Sequence, residues 1–234
     1  YVLHVHSTAT IANAISQSSE SDLKKYLDED FIFVPYCRPG FTLTMEIKKL
    51  ILPSTNILIL ENHGLIVAGD DIEDTYKLLL KIHKKLDLIR NEKLAFDYSE
   101  KITNIDGYIH KNTDKYNLFS TQNEKLFSLF PKSFYPDHVI FLGPGIPTFL
   151  EEKEANEFIQ NLKRKNIDLP PYLILKYKGL FENTLAIPAA KEMIDCFLEV
   201  LLRIDLSKSL KFLSSQQESE LLNWDIEIYR QSIN

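Results

Sequence analysis

Tyr1-Val2-Leu3-His4-Val5-His6-Ser7 is the stretch from which the rest of this chain is interpreted. Three apolar residues lead into a His-x-His pair, which is typical of a strand end. Alternate side chains of an extended strand point to the same side, so His4 and His6 project together and Val5 points to the opposite face. Two adjacent imidazoles form half of a metal site, because zinc is usually held by three or four His, Cys or carboxylate groups. The pair therefore predicts a metal site with a further ligand from elsewhere in the chain.

A second apolar strand supplies the best third ligand. It is the run Asn56-Ile57-Leu58-Ile59-Leu60-Glu61-Asn62-His63-Gly64. His63 stands at the polar end of this run, next to Gly64, which can turn the backbone. A lone histidine in a strand is more often a packed or surface residue than a ligand. The pair together with the strand-end histidine favours a metal site made of His4, His6 and His63.

Three segments in a fixed order resemble the class II aldolase/adducin family over roughly residues 1 to 95. They are His4-Val5-His6-Ser7, Pro35-Tyr36-Cys37-Arg38-Pro39-Gly40 and Asn62-His63-Gly64-Leu65-Ile66-Val67-Ala68-Gly69. In that family the His-x-His pair and the later histidine bind a divalent metal, commonly zinc, with manganese or a similar ion as the other choice. The resemblance therefore implies that His4, His6 and His63 are the metal ligands.

The activity that this resemblance implies is that of a metal-dependent aldolase, a carbon–carbon lyase. Its substrate would be a small sugar or sugar phosphate, cleaved through a metal-stabilised enediolate. Three histidines leave a coordination position open for substrate oxygens, and the metal acts there as a Lewis acid. In the family the catalytic carboxylate and the phosphate-binding loops precede the His-x-His pair, so no catalytic residue is assigned. Tyr26 and Tyr36 match the family's proton-donating tyrosine by position only, and structural roles are the simpler interpretation of both.

Three other functions are compatible with parts of the pattern. The same scaffold supports epimerisation of a sugar phosphate through the same enediolate, and an adducin-like interaction module would be non-catalytic. Retained ligands favour the enzyme over the module. A metal-dependent hydrolase barrel also opens with His-x-His, but it needs later ligands for which only His138 is a supplier, and the predicted strands are too few for a closed barrel.

Composition narrows the class of protein. The 234 residues carry a formal net charge of −6 with both signs interspersed, which argues against nucleic acid as a partner. No apolar run is long enough to span a bilayer, so no membrane partner is expected. Cys37 and Cys196 are the two cysteines, which suits a reducing cytoplasm. The family resemblance implies a homo-oligomer, usually a tetramer. Because the chain has no initiator Met and opens inside a strand, we expect it to be part of a longer protein.

Alternation of strands with helices predicts an α/β fold, and strands that are apolar on both faces must be covered on both sides. The resemblance adds a three-layer α/β/α sandwich with a mainly antiparallel central sheet, followed by a smaller α/β C-terminal unit. The predicted domains are a class II aldolase/adducin-like domain, a connecting segment and a C-terminal extension. They span residues 1–95, 96–134 and 135–234. The sequence shows no internal repeat.

Several local features carry their own predictions. Asp70 is expected to cap a helix that continues to about Arg90, with His83 on its apolar stripe as a packed or interface residue. Residues 139–142 are expected to form a strand. His110 is expected to be solvated in a polar surface connection. A last helix is expected to start near Ser214, to be capped by Ser215 and to end at about Arg230.

Overall fold

The computed structural model describes residues 1–96, 105–111 and 113–223. These residues form two compact units. The first comprises residues 1–90, 134–136 and 199–221, and the second comprises the described residues of 91–133, 137–198 and 222–223. The domain limits at residues 95 and 134 stay a prediction. Residues 199–221 belong to the first unit although they lie far from residues 1–90 in sequence.

Strands and helices alternate in the first unit, as an α/β fold requires. In chain order they are β1 (Val2–Val5), α1 (Thr8–Ala14), α2 (Ser19–Tyr26), β2 (Ile32–Val34), α3 (Phe41–Leu50), β3 (Ile57–Leu60), β4 (Gly64–Ala68) and α4 (Ile72–Leu86). Strand β3 is buried at all four residues, in keeping with its run of branched apolar side chains. Ser7 caps α1 by accepting a hydrogen bond from the Thr10 backbone N–H.

The four strands of the first unit form one mixed sheet in the order β1-β4-β3-β2. The β1/β4 and β3/β4 pairs are antiparallel, and β2 runs parallel to β3. Strands β3 and β4 form a hairpin in which Leu60 faces Gly64, so that a three-residue turn, residues 61–63, joins them. The middle residue of the turn, Asn62, has a left-handed backbone with φ 54°. This hairpin, the edge strand β1 and the residue that follows β1 carry the three candidate ligands.

The second unit begins with a 3₁₀ helix (Glu92–Leu94) and contains a second set of strands and helices. They are β5 (Tyr108–His110), a 3₁₀ helix (Asp114–Ser120), α5 (Glu124–Phe127), α6 (Pro136–Leu142), β6 (Thr148–Phe149), α7 (Glu152–Arg164), β7 (Tyr172–Leu175), β8 (Gly179–Asn183) and α8 (Pro188–Arg203). Helix α8 includes residues of both units, and α9 (Ser215–Leu222) belongs to the first except for its last residue. Among the described residues, no helix has the length and apolar character needed to cross a membrane.

The two sheets repeat one topology, which corrects the expectation that the chain has no internal repeat. The second sheet runs β5-β8-β7-β6, with two antiparallel pairs and the parallel pair β6/β7 at the same place as β2/β3. Each central hairpin reads Leu-Ile-Leu, three turn residues, Gly-Leu, over residues 58–65 and 173–180. The turn residues differ in every position, which is why the repeat is hard to see in sequence.

Four local predictions are wrong. Residues 139–142 are helical, because Pro136 at the first position of α6 starts a helix and a short apolar run does not by itself specify a strand. Asp71, not Asp70, caps α4 by accepting from the Asp74 N–H, and α4 ends at Leu86 rather than near Arg90. Ser214, not Ser215, caps the last helix, because the helix begins at Ser215 and the Ser214 hydroxyl accepts from the Gln217 N–H at 3.3 Å. The expected end of this helix near Arg230 lies outside the described residues.

Candidate metal centre

Three histidines meet at one end of the first sheet. His4 lies in the edge strand β1, His6 follows the last residue of that strand, and His63 is the last residue of the turn between β3 and β4. The ring centroids of His4 and His6 are 5.0 Å apart, and those of His4 and His63 are 5.1 Å apart. The rings of His6 and His63 are closer, at 4.7 Å. One side-chain nitrogen from each ring lies within 4.8 Å of the others.

This arrangement fits a divalent ion. The Nε2 atoms of His6 and His63 are 3.1 Å apart. Nitrogens bound to one tetrahedral zinc ion at 2.0–2.1 Å are separated by about 3.3 Å. Imidazole is also a donor that zinc, manganese and similar ions accept. The three residues could therefore hold a metal with small side-chain adjustments. Within residues 1–96, 105–111 and 113–223, no other group of three His, Cys, Asp or Glu has this geometry.

Hydrogen bonding assigns the ligand atom of His4. Its Nδ1 lies 3.1 Å from the Leu65 carbonyl oxygen, to which only a protonated nitrogen can donate. Nδ1 then carries the hydrogen and Nε2 carries the lone pair that a metal needs. Such a bond from the distal nitrogen is the usual way in which proteins orient a ligating imidazole. The strand pairing that places β1 beside β4 thus also sets the tautomer.

Exposure divides the site into an open and a closed side. His4 and His6 are exposed, whereas His63 is only 7% exposed. A buried ligand fixes the position of the ion, and the exposed pair leaves room for a small molecule to reach it.

Gly64 is required for the approach of β1 to the hairpin. A Cβ atom at this position would lie 2.4 Å from the Val5 carbonyl oxygen and 3.2 Å from the His6 Cα. Both atoms belong to the backbone, which cannot rotate away. Glycine in Asn-His-Gly therefore lets His63 and His6 come together, a reason more specific than the turn that the sequence suggested.

Ser7 and His83 form a contact behind the site that the sequence did not reveal. The Ser7 hydroxyl accepts from the Thr10 N–H at 3.2 Å and forms a second hydrogen bond with His83 Nδ1, 3.0 Å away, whose direction depends on the tautomer of the imidazole. His83 lies outside the three-histidine cluster and is half-buried on α4. The contact ties the residue after His6 to α4. The sequence indicated only that His83 lies on the apolar stripe of α4, and it gave no sign of the partner Ser7.

The other sequence candidates lie apart from the cluster. His110 is half-buried rather than solvated, and burial lowers its pKa although the Lys178 carbonyl, 2.8 Å from Nε2, opposes this. His138 is fully buried against Phe197 in the second unit, and burial lowers its pKa to about 3. His138 does not belong to the cluster of His4, His6 and His63, so the metal-dependent hydrolase alternative lacks the additional ligand that it requires.

Neither tyrosine occupies the cluster of ligating atoms. Tyr26 ends α2 and is 38% exposed. Tyr36 follows β2, and its backbone N–H donates to the Glu61 carboxylate at 3.0 Å. Burial of the Tyr36 phenol raises its pKa above the usual range. The Tyr36 contact describes a structural role, and the assignment of either tyrosine as proton donor stays a prediction.

Comparison with known proteins bears on residues 1–88. These match the family model described as the class II aldolase and adducin N-terminal domain. A Bacillus subtilis (strain 168) protein named "Uncharacterized oxidoreductase YuxG" is 27% identical over 96 residues, which cover 40% of this chain. The aligned region spans 14% of that relative's length, so the whole relative says little about the activity of this chain.

A solved structure is also similar in sequence. It is the N-terminal class II aldolase domain of a conserved protein from Thermoplasma acidophilum, which is 26% identical and is matched over 36% of this chain and 39% of its own. The TM-score is 0.34, too low to support an argument about the fold. The family match covers the strand with His4 and His6, the turn with His63, and helix α4. Residues 1–88 are thus similar to the class II aldolase and adducin N-terminal domain.

Proposed function

We propose that this chain is part of a metal-dependent aldolase that cleaves a carbon–carbon bond in a small sugar or sugar phosphate. The observation that carries the proposal is the convergence of His4, His6 and His63 within the family-matched region. Class II aldolases typically use a divalent metal, and these residues have the donor atoms and spacing for one. The family also contains non-enzymes, so similarity to it does not by itself support an enzymatic activity. The presence of all three histidine ligands is what favours an enzyme.

The chain's own residues would hold and orient the ion. His4 would bind through Nε2 while its Nδ1–H donates to Leu65, and His63 would bind from the buried side. Three neutral imidazoles preserve the full charge of a divalent ion, which would supply a Lewis acid for the anion formed next to a carbonyl. Zinc is the expected ion.

Proton transfer needs a group beyond the three ligands. Glu61 lies two residues before His63, but its carboxylate accepts from the Tyr36 N–H and from Lys211 Nζ. Both oxygens are engaged in holding the turn. We therefore assign Glu61 to structure and propose no general base among the described residues.

The proposal includes the setting of the enzyme. We propose a homo-oligomer, a tetramer by family resemblance, that acts in the cytoplasm on a small molecule, without nucleic acid or membrane as partner. The exposure of His4 and His6 supports this proposal, because a small-molecule substrate can reach the ion from solvent on that side.

Metal content and aldehyde release test the proposal together. Elemental analysis of the full protein should find about one divalent ion per chain, lost in His4→Ala and His63→Ala variants. A panel of ketose phosphates should then release an aldehyde only with the metal-loaded wild type. Metal uptake with interconversion of epimers and no aldehyde would favour the epimerase. Failure to take up any ion from excess would overturn the lyase and favour an adducin-like binding module.

A further inference from the structure

The turn that carries His63 is held by a segment far away in sequence. Residues 209–212, which we call the return segment, follow α8 and belong to the first unit. The segment is anchored beyond α1, where the Lys211 N–H donates to the Ile15 carbonyl at 2.7 Å and the Ser209 carbonyl accepts from the Gln17 N–H at 2.9 Å. Ser16 and Leu210 form an antiparallel bridge between these bonds. The segment therefore has a fixed position within the unit.

From this position the return segment binds two residues of the turn. Lys211 Nζ donates to Glu61 Oε1, and the Lys211 carbonyl accepts from Asn62 Nδ2 at 3.0 Å. The second hydrogen of the Asn62 amide donates to the Phe134 carbonyl at 2.8 Å. Phe134 is fully buried and its ring meets that of Phe212 at 5.2 Å. The side chains of Glu61 and Asn62, the two residues before His63, are thus both held by hydrogen bonds to distant parts of the chain.

Asn62 combines two properties that few residues share. Its φ of 54° is in the left-handed region, which asparagine tolerates better than most side chains. It is 3% exposed, and both hydrogens of its amide are used. Glycine would accept the backbone conformation without the two bonds, and aspartate would have no hydrogens to donate. The residue is therefore suited to fix the direction in which the chain leaves for His63.

We propose that Asn62 and Lys211 are positioning residues for the metal ligand His63. The inference rests on the proposed metal function and adds to it a role for the chain beyond the family-matched region. The left-handed turn directs His63 toward His6, and the return segment keeps that turn from relaxing. Glu61 is 7% exposed, so its carboxylate needs the Lys211 ammonium to remain in place. The affinity of the site for its metal is then set partly by Lys211, which lies 150 positions after Glu61 in the chain.

The hairpin of the second unit provides an internal contrast. Its turn, residues 176–178, has the same length and a left-handed middle residue, Tyr177, with φ 64°. Tyr177 is 41% exposed, and its hydroxyl donates to Glu124 at the surface. This turn carries no ligand of the three-histidine cluster. The buried Asn62 amide, with its two carbonyl partners, is thus found in the turn that carries the metal ligand His63.

Metal titration of the full chain tests the inference. The variants are Asn62→Gly, which keeps the left-handed backbone, and Lys211→Met, which removes the charge but keeps most of the stem. Each should bind zinc roughly 10- to 100-fold more weakly than wild type, the loss expected when a ligand's outer hydrogen-bond support is removed. The cobalt-substituted variants should also show a changed visible spectrum, because ligand geometry has relaxed. Lys211→Arg should restore most of the affinity.

A matched control separates positioning from general stability. Lys208→Met removes an ion pair with Asp22 from the same stretch of chain without touching the turn. It should leave both zinc affinity and the cobalt spectrum unchanged. The double variant Glu61→Gln with Lys211→Met should lose little more affinity than Lys211→Met alone, because the two side chains act as one contact.

Two results would overturn the inference in different ways. Wild-type affinity and spectrum in both Asn62→Gly and Lys211→Met, in a protein that binds zinc, would show that His63 is positioned without them. The proposed metal function would survive that result. A wild-type protein that binds no zinc would overturn the proposed function itself, and with it the need to position His63. Equal weakening in Lys208→Met would assign the effect to stability and reject positioning.

Discussion

The β3–β4 hairpin of the first unit and the β7–β8 hairpin of the second share their turn length and strand pairing, although Gly179 has a positive φ and Gly64 does not. Each joins its strands by three residues, and the middle residue is left-handed, Asn62 in one and Tyr177 in the other. A glycine follows each turn, Gly64 or Gly179, and faces the last residue of the preceding strand. The two units thus share a hairpin, a sheet order and strand directions.

The contents of the two turns differ. Residues 61–63 are each less than 10% exposed, whereas Tyr177 is 41% exposed and its neighbours are half-buried. Lys176 binds the Glu124 carboxylate and Lys178 binds Glu152 at the surface. A three-residue turn with a left-handed middle residue therefore does not by itself make a metal site, since the second unit uses the same kind of turn as a more exposed connection.

The register of the edge strands extends the comparison. His4 faces Ile66, two residues after Gly64, and His110 faces Phe181, two residues after Gly179. The second unit therefore has a histidine where the first has one ligand, but Lys178 stands where His63 stands before the glycine. One imidazole without its partners does not make a metal site.

Substitution of the residue before each glycine should give the largest contrast. We expect His63→Ala to abolish metal uptake, with a loss of affinity beyond the roughly 100-fold that removal of a supporting hydrogen bond causes. Lys178→Ala, its counterpart, should retain about one ion per chain. Elemental analysis after dialysis measures both. Metal loss in the Lys178 variant would mean that the second unit takes part in binding.

The two glycines should differ next, in stability. Gly64→Ala would place a Cβ 2.4 Å from the Val5 carbonyl oxygen, and we expect a cost of about 3 kcal/mol with weakened metal binding. Gly179→Ala meets the Ser120 hydroxyl at 2.5 Å, which can rotate, so the left-handed backbone with φ 97° should dominate at about 1–2 kcal/mol. Urea unfolding monitored by circular dichroism compares them. A larger cost for Gly179→Ala, or unchanged metal binding in Gly64→Ala, would contradict the role assigned to Gly64.

Histidines of the two units should also respond differently to pH. Burial lowers the pKa of His138 to about 3, against about 6.5 in an unfolded chain. Between these values the unfolded state binds a proton that the native state does not, so the free energy of unfolding falls as pH falls. The contribution is complete above pH 6.5 and is lost progressively toward pH 3.

His138→Phe tests this pH dependence while keeping a ring beside Phe197. The slope of the unfolding free energy against pH, between pH 6 and 4, should decrease by up to about 1.4 kcal/mol per pH unit. The slope is the informative quantity, because the substitution also changes the absolute stability. An unchanged slope would show that His138 is not the group that takes up the proton.

The ligands could be predicted from sequence because their signals are local. Two-residue periodicity puts His4 and His6 on one face of a strand, and a strand-end motif identifies His63. Lys211 could not be found in this way. It reaches the turn from 150 positions along the chain, and such a contact leaves no periodicity. Sequence signals also failed at residues 139–142, where a short apolar run fits either a strand or a buried helix until the surroundings decide.

The repeated sheet was hidden for a related reason. The residues that define its topology are apolar strand positions, which many sequences share, and the three turn positions of the hairpin have no identity in common. Backbone pairing retains the pattern because it depends on strand length and on the glycine rather than on which side chains the turn exposes.

The smallest effect should come from the carboxylate that holds the second turn. Glu124 binds Lys176 at 2.9 Å and Tyr177 at 3.0 Å, and these contacts, the lysine first, hold the pKa of its carboxyl below the usual value. Its side chain is 65% exposed, however, and water and salt screen such pairs. Glu124→Ala should therefore leave the thermal unfolding midpoint within experimental error at high salt, whereas Glu61→Ala should lower it clearly. Equal shifts for the two variants would mean that burial does not distinguish the turns, and the contrast between a supported ligand turn and a solvated one would fail.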